Sequence, residues 1–236
     1  MKWLLILLFT VGLFAQSIQQ RHLSVIKKRT GGGVSIVFDA VSEANEQDEN
    51  ETISWSHTVG VGSNRFLWVA LAVYDYTAAV APSSVTFNSD ALTLAGTGTL
   101  ASEAKVFCYY MVAPDEGSHT ILATFDDPVD EVSTGATSWF GVDQSTPVSD
   151  INDDSGSNPS ISVTVDAGDV VMDGMFFYTG AATAGGGQVE RWNTLQGGDV
   201  TSCAGSTELS VGGGSVTMSW TNSETAYFIC EVNVAN

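Results

Sequence analysis

RFLWVALAVY, residues Arg65 to Tyr74, is apolar at nearly every position. A strand that reads this way is covered on both faces, so it belongs at the centre of a sheet rather than at an edge. Outward from it the pattern becomes an alternation with period two, and no long stretch keeps the helical period of 3.6. Val34, Ile36 and Phe38 share one face of a first strand, and Ile53 and Trp55 one face of another. Lys105 to Val112, Thr120 to Phe125, Ile161 to Val165, Asp169 to Tyr178, Val216 to Trp220 and Tyr227 to Val234 read likewise. In the last of these, Phe228, Cys230, Val232 and Val234 point one way and Glu231 and Asn233 the other, which makes a dry face and a wet one. Turn signals such as Asn88-Ser89-Asp90 and Asp166-Ala167-Gly168-Asp169 separate the runs at intervals of about 8 to 12 residues, the spacing of sandwiches and barrels. Three weakly patterned stretches, Glu43 to Glu51, Gln144 to Pro159 and Ala181 to Gly187, are expected as loops at the sheet ends. The pattern predicts an all-β fold, a two-sheet antiparallel β-sandwich with jelly-roll or concanavalin-like layering over residues 34–236. No fixed-period repeat and no shift of composition marks a second domain.

Ahead of this body lies a segment of opposite character. Met1-Lys2 and the apolar run Trp3 to Ala15 match the charged and hydrophobic regions of a signal peptide, or else a hydrophobic anchor, over residues 1–15. The run falls short of the roughly 20 apolar residues that a membrane-spanning helix needs. Residues 16–33 carry the basic cluster Lys27-Lys28-Arg29 and end in Gly31-Gly32-Gly33, so they read as a basic, glycine-ended tether. The expected location is extracellular or at a cell surface, with a virion as the alternative.

Charge narrows the partners. From Val34 onward the chain has three basic residues, Arg65, Lys105 and Arg191, against all 27 of its acidic ones. A body this acidic repels phosphate backbones, which argues against nucleic acid. The glycine-rich stretches lack the lysine and the strand–helix context of a phosphate-binding loop, so no cofactor is expected. Three cysteines, Cys108, Cys203 and Cys230, are too few for a disulfide scaffold and too far apart for a zinc motif. Cys108 and Cys230 lie on long strands and are the pair expected to meet, whether bridged or as two buried thiols, whereas Cys203 falls in a polar, glycine-containing stretch.

Several phrases, SWSHTVGVGSNRFLWVALAVYD, VTFNSDALT, YYMVAPDEGSHTILATF, FGVDQSTPV, VTVDAGDVVMDGM, GGGQVERWN and GSVTMSW, occur in order along the body. Together they resemble a widespread group of β-sandwich proteins met in secreted bacterial proteins and in phage or environmental sequences. The resemblance implies fold and an extracellular or virion context, and its phrases are strand and turn signals rather than active-site signatures.

Candidate sites are few. Asp150, Asn152 and Asp154 place oxygen side chains at alternate positions, the spacing by which a turning loop wraps a hard cation, so calcium is the metal this stretch would take. Asp126, Asp127, Asp130 and Glu131 form a second acidic cluster. Trp192, after a glycine-rich loop, and Tyr76, after a central strand, are the aromatic residues best placed to meet solvent and to stack on a sugar. His57 and His119 sit on strand phrases with no nucleophile elbow or metal-binding helix near them, and the reading of both is structural. The sequence therefore predicts a non-enzymatic structural or adhesive subunit working as one copy among many, whose partners are copies of itself or other surface or virion subunits. The rival readings are a carbohydrate-binding module and a capsid or tail decoration of a phage.

Overall fold

A computed structural model describes residues 35–46, 49–178, 180–194 and 201–235, and these form strands and connections without a helix. The leader and tether lie outside the described residues. The first half of the body comprises β1 (Val37–Glu46), β2 (Asn50–Val59), β3 (Phe66–Tyr74), β4 (Ser84–Phe87), β5 (Asp90–Ala91), β6 (Thr93–Ala101), β7 (Ala104–Val112), β8 (Gly117–Val129) and β9 (Glu131–Phe140). The second comprises β10 (Val148–Gly156), β11 (Ser160–Val165), β12 (Val170–Phe177), β13 (Thr183–Ala184), β14 (Val189–Thr194), β15 (Ser202–Leu209), β16 (Gly214–Thr221) and β17 (Thr225–Val232).

The predicted all-β sandwich is present, and it is built twice. In the first half β1 pairs with β9, β2 with β8, β3 with β7 and β4 with β5, all antiparallel, the nested pairing of a long hairpin rolled into two sheets. This is jelly-roll connectivity. The sheets run β1-β9-β3-β7-β6 and β2-β8-β4-β5. The second half repeats the plan as β10-β17-β12-β15-β14 and β11-β16-β13. Equivalent strands therefore follow in chain order, with β3 matching β12 and β9 matching β17. The spacing between equivalent strands shortens along the chain, so no fixed period is visible in the sequence.

Period two explains how the sheets stack. On β3, Leu67, Val69, Leu71 and Val73 enter an outer core shared with β2, β4 and β8, while Phe66, Trp68, Ala70 and Ala72 enter a central core shared with the second half. On β12, Val170, Met172 and Phe176 face the central core, and Val171, Met175 and Phe177 face the second outer core against β11 and β16. The order is thus four layers with three apolar seams. Main-chain bonds also tie the halves together: Asp143 N–H to Asn233 O (2.8 Å) and Ala235 N–H to Gly141 O (2.7 Å).

The central seam is close because small residues line it. A Cβ at Gly174 would stand 2.7 Å from both Ala70 Cβ and Cys108 Sγ. The Trp192 ring occupies the space over Gly135 and Gly205, and the Phe228 ring that over Gly96. Register makes these one contact seen twice. Ala70 pairs with Gly135 and Gly174 with Phe228, so Gly135 and Phe228 are equivalent positions. Gly96 and Trp192, which follow matching bulges in β6 and β14, are equivalent as well. At both equivalent positions the first half therefore offers a hole, Gly135 or Gly96, and the second half the ring that fills it, Trp192 or Phe228.

Three sequence expectations change. Gln144 to Pro159 is mostly strand β10 rather than loop, and Glu43 to Glu46 continue β1. Cys203, expected in a polar stretch, lies on β15 inside the central core. Adding a methyl at Gly135 or Gly174 overpacks the seam and is expected to destabilise the protein by about 1–3 kcal/mol. In urea denaturation Gly135→Ala combined with Trp192→Ala should cost less than the sum of the two single changes, because the pair shares one contact.

Candidate functional site

The calcium candidates occupy a strand edge. Asp150, Asn152 and Asp154 lie on β10, where a bulge between Ser149 and Ile151 turns them toward the unpaired side of β11. Asp150 accepts from the Thr164 N–H, Asn152 Nδ2 donates to Ser162 O at 3.3 Å, and Asp154 accepts from the Ser160 N–H at 3.2 Å and from the Ser155 N–H at 2.8 Å. The alternate spacing thus serves to finish an open sheet edge with side-chain oxygens and an amide instead of a neighbouring strand. No group of three or more His, Cys, Asp or Glu among the described residues is arranged to hold a metal. In the second acidic cluster Asp130 accepts from the Tyr76 N–H (2.7 Å) and Glu131 from the Thr201 N–H (2.6 Å).

The two aromatic candidates part company. Tyr76 is 77% exposed, and its ring meets Tyr74 edge to face at 5.0 Å. Tyr74 in turn meets its equivalent, Tyr178, at 5.5 Å. Trp192 is only 4% exposed, contrary to expectation, because its ring fills the central seam and its Nε1 points at Cys203 Sγ. A buried ring offers a sugar no face. The three cysteines lie in that same central core as free thiols, Cys108 and Cys230 unbridged, and burial pushes Cys203 up to about 12. Such thiols are poor nucleophiles at neutral pH.

Two buried titratable groups stand out among the described residues, Asp173 and His57. Asp173 interrupts the apolar run of β12 and is fully buried in the second outer core. Its carboxylate accepts from Ser206 N–H, Ser206 Oγ (2.7 Å), Trp220 Nε1 (2.8 Å) and Tyr227 Oη (2.9 Å). Burial raises it to about 6 despite those four donors. The equivalent residue in the first half is Val69, so the polar bolt belongs to one half only. His57, buried on β2, shares a hydrogen bond of 2.8 Å with Ser42 Oγ, which also accepts from Trp55 Nε1 at 3.1 Å. Its Nε2 has no hydrogen-bond partner among the described residues. Asp39 does not orient it, being held by Gly60 N–H (2.8 Å) and Ser138 Oγ (2.7 Å). Burial holds His57 down at about 4.

One open depression of about 370 Å³ is lined by Ser149, Asp150, Thr164, Val165, Asp166 and Glu231. Glu231 is already engaged there by Ser149 Oγ and by the Asp166 N–H at 2.9 Å. A second of about 310 Å³ lies beside Asn88, Ser118 and His119. The broad surfaces are the outer faces of the two end layers, and they share one chemistry. On the first, Thr52, Ser54, Ser56 and Thr58 of β2 stand beside Ser118, Thr120 and Thr124 of β8 and Ser84 and Thr86 of β4, with Leu122 interrupting the rows. On the second, Ser160, Ser162 and Thr164 of β11 stand beside Ser215, Thr217 and Ser219 of β16. These rows are uncharged, with exposed Asp126 beyond Thr124 at the rim of the first and Asp150 and Asp154 bordering the second along β11.

Comparison of the chain with protein-family models, curated proteins and solved structures gives no match.

The two buried groups act on stability with opposite signs. In the unfolded chain Asp173 loses its proton near pH 4, while the folded protein keeps it to about 6, so its contribution is lost as pH rises through that window. Unfolded His57 gains a proton below about 6.5, while the folded ring stays neutral to about 4, so its contribution is lost as pH falls. Each amounts to roughly 3 kcal/mol. Chemical denaturation at pH 4 to 6.5 should show the stability deficit of Asp173→Asn relative to the parent shrinking as pH rises, and that of His57→Leu growing.

Proposed function

We propose that the chain is an exported, non-enzymatic structural or adhesive subunit that works in many copies, at a cell surface or in a virion. The observation that carries this reading is the pair of hydroxyl rows, themselves uncharged, on the two end faces of an otherwise acidic body. Bodies with this excess of carboxylates repel one another wherever their acidic surfaces face. A Ser/Thr face has donors and acceptors but no net charge, so it is where two copies can approach without like-charge cost. Two such faces on opposite ends allow each copy two neighbours. The shallow depressions support recognition over an extended surface more than in a pocket.

The same faces favour a second reading, adhesion to a neutral polysaccharide, whose hydroxyls complement the rows. The readings separate by experiment. Light scattering and negative-stain microscopy of the full chain should show concentration-dependent assembly, which Thr120→Glu with Thr217→Glu abolishes while the fold, followed by circular dichroism, is kept. A monomer at every concentration and salt level, retained on insoluble neutral polysaccharide, would replace the first reading with the second.

A further inference from the structure

We infer that Arg191 is an open carboxylate-binding site, and that the carboxylate it takes belongs to a second copy of this chain; this rests on the multi-copy reading above. The described residues hold three Lys or Arg side chains. Arg65 is ion-paired with Glu116 at 2.8 Å and donates to Pro114 O and Gly62 O. Lys105 Nζ donates to Ala79 O at 2.8 Å. Arg191 makes no ion pair with any described residue, in a body with 27 carboxylates.

Its guanidinium is nevertheless held in place. The central carbon lies 4.3 Å from the Phe38 ring centroid and 4.9 Å from that of Trp139. The two rings brace each other edge to face at 5.1 Å. Nε donates to Thr207 Oγ1 at 2.9 Å, and among the described residues that is the only hydrogen bond the group makes. Both terminal nitrogens are left for a ligand. A guanidinium stacked on aromatic rings with that edge free has lost most of the freedom a fork–carboxylate bond would otherwise remove, and its planar donors match the two oxygens of a carboxylate.

The fold does not call for a cation at this place. Arg191 is the unpaired residue of the β14 bulge, and the unpaired residue of the equivalent β6 bulge is Ala95. By register, Phe38 and Trp139 correspond to Val148 and Val232. The matching corner is thus made of Ala95 from the first half and Val148 and Val232 from the second, all in or against the central core. The cation is an addition to a corner that apolar packing alone can complete.

A neighbouring copy is the occupant that the composition favours. Every copy presents many more carboxylates than it can pair, so contact between copies brings a carboxylate to Arg191 that its own chain does not supply. The two edge strands that flank the site add exposed apolar residues, Val37 (51%) on β1 and Val189 (51%) on β14, which contact would dry.

The test uses the full chain as parent, Arg191→Gln, Arg191→Lys and Arg191→Glu. Sedimentation velocity over a concentration series gives self-association, near-ultraviolet circular dichroism checks the fold, and glutarate serves as a soluble carboxylate probe followed at the Arg191 Nε–Hε resonance. The expected result is association weakened about tenfold or more by Arg191→Gln and further by Arg191→Glu, with Arg191→Lys between parent and Gln because it keeps charge but loses the fork. Glutarate should shift the resonance and weaken association of the parent alone. Equal association of parent and Arg191→Gln overturns this inference while leaving the multi-copy reading standing. A parent that stays monomeric overturns both, and a glutarate shift without any effect of the substitutions on association shows a carboxylate site whose occupant is not a second copy.

Discussion

The close approach of the two inner sheets is the constraint on which the rest of the structure depends. It is set by missing side chains: Gly174 against Ala70 and Cys108, Gly135 and Gly205 beneath Trp192, and Gly96 beneath Phe228. Dispersion falls off so steeply with distance that a gap of one methyl group would forfeit much of the contact along the whole seam. Because both holes belong to the first half and both rings to the second, the interface is complementary without being symmetric. Two copies of the first half would set hole against hole in both places, two copies of the second would set ring against ring, and neither packs.

Much of the fold was legible because burial on one face or two writes period two into a sequence. Phe66 to Tyr74 and Val170 to Phe177 are apolar at most positions since each faces two cores, and they read as central strands. The signal failed where polar residues do the packing. β9 buries Ser133, Thr134, Thr137 and Ser138, so its interior position leaves no apolar pattern. β10 is rich in Asp and Asn, residues of low strand propensity, and is held by its ladder with β17 and by the side chains it sends to β11. The duplication stayed hidden because insertions and deletions change the spacing of equivalent strands.

The candidate sites were less legible, for a related reason. A residue type and its spacing do not reveal which partners tertiary structure will bring. Asp150, Asn152 and Asp154 have the spacing of cation ligands and serve as an edge closure. Trp192 follows a glycine-rich turn, as an exposed ring would, and fills a seam. Tyr76, just beyond the end of β3, is exposed as its position suggested. Asp173 carried a signal of its own, a lone acid inside VVMDGMFF, which is legible as a buried polar group once both faces of that strand are known to be dry.

Nested pairing within each half bears on how the chain comes together during synthesis. β9 completes the first jelly roll using only earlier strands, so this half can close all its ladders before β10 begins. Its inner sheet then presents Phe66, Trp68 and Trp139 to solvent until the second half arrives to cover them. A domain that matures in this order passes through a state with one finished sandwich and one bare apolar wall, the kind of surface that holdase chaperones bind and that aggregates when left unattended. The short connection from Gly141 to Pro147 keeps the second half close at hand, which limits how long that wall stays bare.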